Sequence, residues 1–262
     1  MSTRKDRMGK AVGGTKDGWK VIEPPGRGTR SAERFFMAWA RLNFTANHYV
    51  MLSVREDQRL EAERIASDDP RRWIEVRQSN IDKLAKQAQI LFELFACRHV
   101  DNFQTYLADL LFEALLRKTD ILKSTKDTMD VRSIIEHGSF EEIVRAIAER
   151  KIASLSYGPY GEMAKFFESH LGVSIGDSDD QALISGAIAL RNISVHNACR
   201  INHVYIKSVG GDPSTLNTVR RVDARDSAGF ALLFGEIVAE VDSSAGVKFG
   251  IPTPDFVIDP LA

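Results

Sequence analysis

RNISVHNACR, residues 191–200, places four hydrogen-bonding side chains, Arg191, Asn192, His196 and Asn197, inside an otherwise apolar segment. Leu183, Ile184, Ala187, Leu190 and Ile193 recur at three- and four-residue intervals, the period of an amphipathic helix, so the stretch reads as the polar end of a helix. Ser178-Asp-Asp-Gln181 has the form of a capping box and predicts where that helix opens. This reading sets the fold class, because the flanking segments follow the same period.

Upstream, Phe35, Phe36, Trp39, Leu42 and Phe44 fall at helical spacing, and the pattern runs on through Arg64. Asp68-Asp69-Pro70 combines a capping residue with a first-turn proline, predicting a second helix over 71–98. Phe103, Leu107, Leu110, Leu111, Ala114 and Leu115 then form one apolar face of a further segment. Ser139 and Glu142 form another capping box, for a helix over 140–152, and a Gly-Pro turn leads to a short amphipathic helix before residue 173. Residues 203–225 alternate more like an extended connector, a hairpin turning at Gly210-Gly211, and a last helix is predicted over 227–241. The fold class is all-α, an antiparallel helical bundle.

Composition narrows the function classes. Charged residues make up 27% of 262, the formal net charge is −1, and 44% of residues are hydrophobic, as in a soluble globular protein. Residues 1–30 differ: eight Lys or Arg, three acidic residues and six glycines describe a flexible basic arm, either a solvated tail or an electrostatic handle for phosphate backbones. Two cysteines, Cys97 and Cys199, argue against a disulfide framework and suit a reducing cytoplasm. The count excludes a four-cysteine zinc site, and no membrane span or signal peptide is expected.

An Arg and a His five residues apart carry little information alone. With 22 arginines and 6 histidines, roughly half a match is expected by chance, and Arg132-Ser-Ile-Ile-Glu-His137 repeats the spacing before Gly138. The context at 191 is different. Asn192 and His196 are four apart and share a helix face, so the amide can orient the imidazole or share its ligand. Arg191 lies about 140° from His196, so the two converge only if the Arg side chain wraps round, the helix distorts or a second chain contributes. Histidine moves protons near neutral pH, and arginine stabilises charge developing on a phosphate, so the trio suits phosphodiester chemistry. No carboxylate cluster with metal-ligand spacing stands beside it, which points to a metal-free mechanism without a cofactor.

ALRNISVHNACRINHVYI resembles the signature helix of HEPN domains, in which Arg, a polar residue such as Asn, three variable residues and His follow one another. The "RN...VHN" neighbourhood is similar to that of the RiboL-PSP-type group, and FQTYLADLLFEALL and FEEIVRAIAERKIASLSYGPYGEMAKFFESHLGV resemble two further segments in the same order. The resemblance covers roughly 95–240 and departs at Ala198, where the group often has Gly.

What the resemblance implies is a homodimer bringing two motifs into one cleft and metal-independent endoribonuclease activity, leaving a 2′,3′-cyclic phosphate and a 5′-hydroxyl. Arg191 would hold the scissile phosphate, His196 would act as general acid or base, and Asn192 would orient them. Asn197, Arg200 and His203 are candidate substrate-binding residues. Relatives serve in toxin–antitoxin and antiphage defence, so a cognate antitoxin or regulatory protein is a further expected partner. The alternative is a catalytically silent HEPN-like module for dimerisation or partner binding, while a metal-dependent hydrolase fits least because its ligands would be scattered.

The expected organisation is a basic arm at 1–30, an N-terminal helical extension of unassigned role at 31–94, an HEPN-like domain at 95–245 and a C-terminal tail at 246–262. Arg98 and His99 read as a satisfied polar pair before a supporting shell for the motif. Trp19, Trp39 and Trp73 read as packing residues before base-stacking platforms.

Overall fold

The computed structural model describes residues 23–124 and 130–261. Every regular element among them is helical, and only two isolated antiparallel bridges occur, Arg27 with Asp255 and Arg200 with Val219. Helix α1 (Arg30–Ala66) and helix α2 (Pro70–Arg117) form a long antiparallel hairpin. The short α3 (Val131–Glu136) precedes α4 (Phe140–Tyr157), and α5 (Tyr160–Phe166) runs into a π turn at Phe167–Leu171. Helix α6 (Ser178–Asn197) carries the motif, α7 (His203–Val209) follows it, and α8 (Ala224–Phe249) returns through the centre.

The hairpin turns where the sequence predicted it. Asp69 caps α2 by accepting from the Arg72 N–H, and Pro70 occupies the first turn, where its missing N–H costs nothing. The predicted end at residue 98 does not occur. Helix α2 runs on for 48 residues, roughly 72 Å, because Asp101 and Asn102 find partners elsewhere and do not cap a new helix. The Asn102 amide donates to Phe35 O (3.0 Å) and the Asp101 carboxylate accepts from Arg191.

Phe35, Phe36, Trp39, Phe103, Leu107, Leu110, Ile184, Phe234 and Val238 belong to one main core, so α1 shares the core of the later helices and α2 crosses the 94/95 boundary unbroken. Phe103 stacks on Phe234 at 4.5 Å, and Trp39 donates its indole N–H to Ala231 O at 2.8 Å, a packing role. Trp19 and most of the basic arm lie outside the described residues. The end of the arm is part of the fold: Gly28 N donates to Pro254 O, Phe256 N donates to Gly26 O, and Thr29 caps α1. The C-terminal tail likewise contributes buried Ile251 and Phe256.

Other boundaries move by small, explicable amounts. Helix α6 is capped by Asp177 in a reciprocal box with Asp180, one residue before the predicted box at Ser178. At α4, Ser139 accepts from Glu142 N as expected, while the Glu142 carboxylate reaches past it to Gly138 N. Helix α8 opens at a box of Asp223 and Asp226 and extends beyond residue 241 to Phe249. The predicted hairpin at 203–225 is a correction: Asn202 caps α7, and Gly210 (φ +62°) ends that helix in the left-handed conformation. The extended pairing falls outside α7, where Ile201 N donates to Thr218 O and Arg220 N to Cys199 O.

His99 faces the core on α2 and is 1% exposed, whereas its neighbour Arg98 is exposed, so the two do not form a polar pair. Its Nε2 has no hydrogen-bond partner, and burial holds the imidazole down at about 4. The unfolded chain protonates His99 near pH 6.5 and the folded chain resists until about 4, so stability falls as pH drops through that window. The contribution is on the order of 3 kcal/mol, and urea melts of His99→Leu across pH 7 to 4 should lose that part of the acid sensitivity. Asp109 and Asp242, whose carboxyls burial pushes up, act with the opposite sign: their contribution is present at acid pH and fades as pH rises.

Candidate active site

A second, smaller core of Ala96, Leu190, Ile193, Cys199, Ile201 and Val222 lies behind the motif and fixes the end of α6 against α2. The contact runs as a seam. Asp101 meets Arg191, both cysteines meet Ser194, and Gln89 meets Val222. Since Asp101, Cys97, Glu93 and Gln89 recur every four residues, one face of α2 receives the end of α6 and the strap that follows it.

At one end of the seam the Arg191 Nε donates to Asp101 Oδ1 at 2.9 Å, and a terminal nitrogen donates to Asn192 Oδ1 at 3.3 Å. The Arg191 and Asp101 side chains are 27% and 30% exposed, so the ion pair contributes about 1 kcal/mol or less and its main effect is to fix the guanidinium plane. Two of its five N–H donors are engaged, leaving others to hold an anion.

His196 and Asn192 are exposed on the motif helix, and no hydrogen bond reaches the His196 ring among the described residues. The Asn192 carbonyl is turned to Arg191, so within one protomer the expected Asn192–His196 contact does not form. Val195, 52% exposed, lies between them in sequence.

Of the other candidates, Asn197 donates its amide to Arg200 O at 2.7 Å and closes the turn after α6. Arg200 is exposed with one nitrogen donating to Asn217 O, and His203 is exposed in the first turn of α7. Ser194 and Asp101 were not singled out from sequence, and Cys97 only as one of two unpaired cysteines. Ser194 Oγ lies 3.2 Å from Cys199 Sγ and also bonds Cys97. Burial pushes both thiols up, Cys199 to about 11, so they are neutral packing groups behind the motif. Among the described residues no three His, Cys, Asp or Glu side chains converge as ligands for a metal ion, and no helix is long and apolar enough to cross a membrane.

Helix α6 ends on Ala198 at φ +47° and Cys199 at φ +57°, both left-handed. An L-residue there costs about 1–2 kcal/mol, while glycine adopts the conformation freely but loses more entropy on folding. Ala198→Gly should therefore stabilise the chain by about 0.5–1 kcal/mol, seen as a higher urea midpoint at unchanged m-value.

No family model matches the chain, and neither a curated protein nor a solved structure does.

Proposed function

We propose that the chain is a metal-independent HEPN-type endoribonuclease acting as a homodimer, in a toxin–antitoxin or antiphage setting. The observation that carries this reading is the exposure of Asn192 and His196 beside an Arg191 whose plane is fixed by Asp101. In one protomer these groups remain apart. A second copy set over the same face would bury the exposed Val195 and bring its Arg191 towards this His196. The phosphate would take the free donors of Arg191, and His196 would remove the proton of the ribose 2′-hydroxyl or return one to the 5′-oxygen. Single-stranded RNA suits the site because unpaired nucleotides can adopt in-line geometry.

Purified protein incubated with single-stranded RNA in EDTA is expected to give fragments ending in 2′,3′-cyclic phosphate and 5′-hydroxyl. Absence of cleavage under all salt and pH conditions tried, or fragments with 5′-phosphate, would reject the reading. The Arg191–Asp101 pair favours a second reading, a silent dimerisation or binding module, because a guanidinium already neutralised by a carboxylate attracts phosphate less. That reading expects RNA binding or partner capture unchanged by His196→Ala, with no turnover by either protein.

A further inference from the structure

At the far end of the seam from Arg191, α2 and the residue before Val222 flank an open surface cleft of about 440 Å³ lined by Asp82, Ala85, Lys86, Gln89 and Arg221. Its position is set by Gln89, whose amide, oriented to satisfy both of its ends, donates to Val222 O (3.1 Å) and accepts from Val222 N (3.0 Å). Two cations line this cleft: among the described residues, neither the Lys86 ammonium nor the Arg221 guanidinium has an ion-pair or hydrogen-bond partner. The one acid in the lining, Asp82, accepts from the neutral Gln78 amide at 2.9 Å and keeps its charge, so the lining carries two positive charges against one negative. Arg59, Arg64 and Arg77 in the outer hairpin, and Arg220 beside the cleft, are each held by carboxylates, while other exposed cations such as Lys83 and Lys207 are unpaired among the described residues; Lys86 and Arg221 are set apart by lining one cleft.

The cleft and the motif lie on one continuous contact. Lys86 precedes Asp101 by fifteen positions on α2, roughly 22 Å of helix and the reach of a few extended nucleotides. Between them lies the strap of residues 199–201 paired with 217–220, which carries exposed Arg200. Its guanidinium gives one bond to Asn217 O and keeps other donors free. The acid on this route, Glu93, is half-buried against the Cys199 thiol.

We infer that Lys86 and Arg221 form a distal phosphate subsite that holds the backbone of a single-stranded RNA a few nucleotides from the scissile bond, with Arg200 between. The inference rests on the ribonuclease reading for the position of the scissile bond, but not for the binding itself. It gives the inner part of the helical hairpin a function: α2 carries the RNA path beyond the catalytic motif. Recognition there is of backbone charge, so it is tolerant of sequence and sensitive to salt.

The test uses full-length protein carrying His196→Ala, so that RNA remains intact, with and without Lys86→Gln and Arg221→Gln. A fluorescent dodecanucleotide and a dinucleotide of the same composition are titrated over a range of salt. Both substitutions replace exposed side chains, and thermal melting checks that the fold is retained. The double variant is expected to bind the dodecanucleotide at least tenfold more weakly, with the slope of log affinity against log salt reduced by about 1.4, two single-strand phosphate contacts. Dinucleotide binding should be unchanged. Equal affinity and slope with and without the two substitutions would overturn the subsite, as would no RNA binding by the parent, the outcome expected if the cleft serves an acidic protein. Failure of the ribonuclease reading looks different: intact binding that depends on Lys86 and Arg221, with no cleavage by the wild-type chain.

Discussion

Replacing His196 by Ala is expected to slow RNA cleavage by about a hundred- to ten-thousand-fold, the usual contribution of a positioned acid or base. Arg191→Ala should cost about a hundred- to a thousand-fold by removing charge stabilisation at the phosphate. Neither change should unfold the protein. His196 is exposed, and Arg191 gives up only a partly exposed ion pair, so melting curves should stay close to wild type. Asp101→Asn separates the two readings of the ion pair. If the carboxylate positions the guanidinium, its loss lowers kcat; if it merely neutralises the guanidinium, its loss strengthens RNA binding and leaves turnover absent.

The stronger test is to mix the two inactive proteins. If one chain supplies Arg191 and the other His196, a heterodimer of Arg191→Ala with His196→Ala contains one site with both mutations and one with neither. Statistical pairing after subunit exchange should restore roughly a quarter of the wild-type activity. A site completed within one chain gives no such recovery. Activity that survives in either single mutant at the wild-type level would remove the assigned roles altogether.

The helical character of the chain was legible because its apolar period is sustained, but the length of α2 was not. Asp101-Asn102 has the composition of a helix start, and only long-range partners reveal why it is not one: the Asp101 carboxylate goes to Arg191 and the Asn102 amide to Phe35 O, ninety and sixty-seven positions away. The same holds at the site. Periodicity placed Arg191, Asn192 and His196 on one helix end, whereas Asp101 and Ser194 acquire meaning only once α6 lies along α2. Caps shifted by one residue, as at Asp177 and Ser178, because both side chains can accept from a free N–H and tertiary fit chooses between them. Residues 203–209 misled because Val, Tyr and Ile favour strands locally, while the Asn202 cap and left-handed Gly210 delimit one short helix.

The largest stability loss should come from a residue that sequence periodicity does not mark. Asp242→Ala is expected to destabilise the protein by about 3–5 kcal/mol, because three buried donors lose one acceptor group. The Asp242 carboxylate, 3% exposed on α8, accepts from Thr29 N at 2.8 Å, from Thr29 Oγ1 at 2.5 Å and from Tyr106 OH at 3.4 Å. Thr29 Oγ1 in turn accepts from Ala32 N and caps α1, and Ser31 beside it is held by the Glu113 carboxylate. Two acids from distant helices therefore fix the first turn of α1, from which Phe35, Phe36 and Trp39 enter the core. Space at this point is tight: a Cβ on Gly28 would lie 3.0 Å from Asp242 Oδ2 and 3.1 Å from Ala32 Cβ. Asp242→Asn keeps the shape and one acceptor, so it should cost only about 1–2 kcal/mol. Urea unfolding of the two variants provides the comparison, with the Ala variant unfolding first. Equal midpoints for Ala and Asn would mean that neither the shape nor the single acceptor kept by Asn holds the α1 cap, and would overturn the assigned role of the hydrogen bonds at position 242.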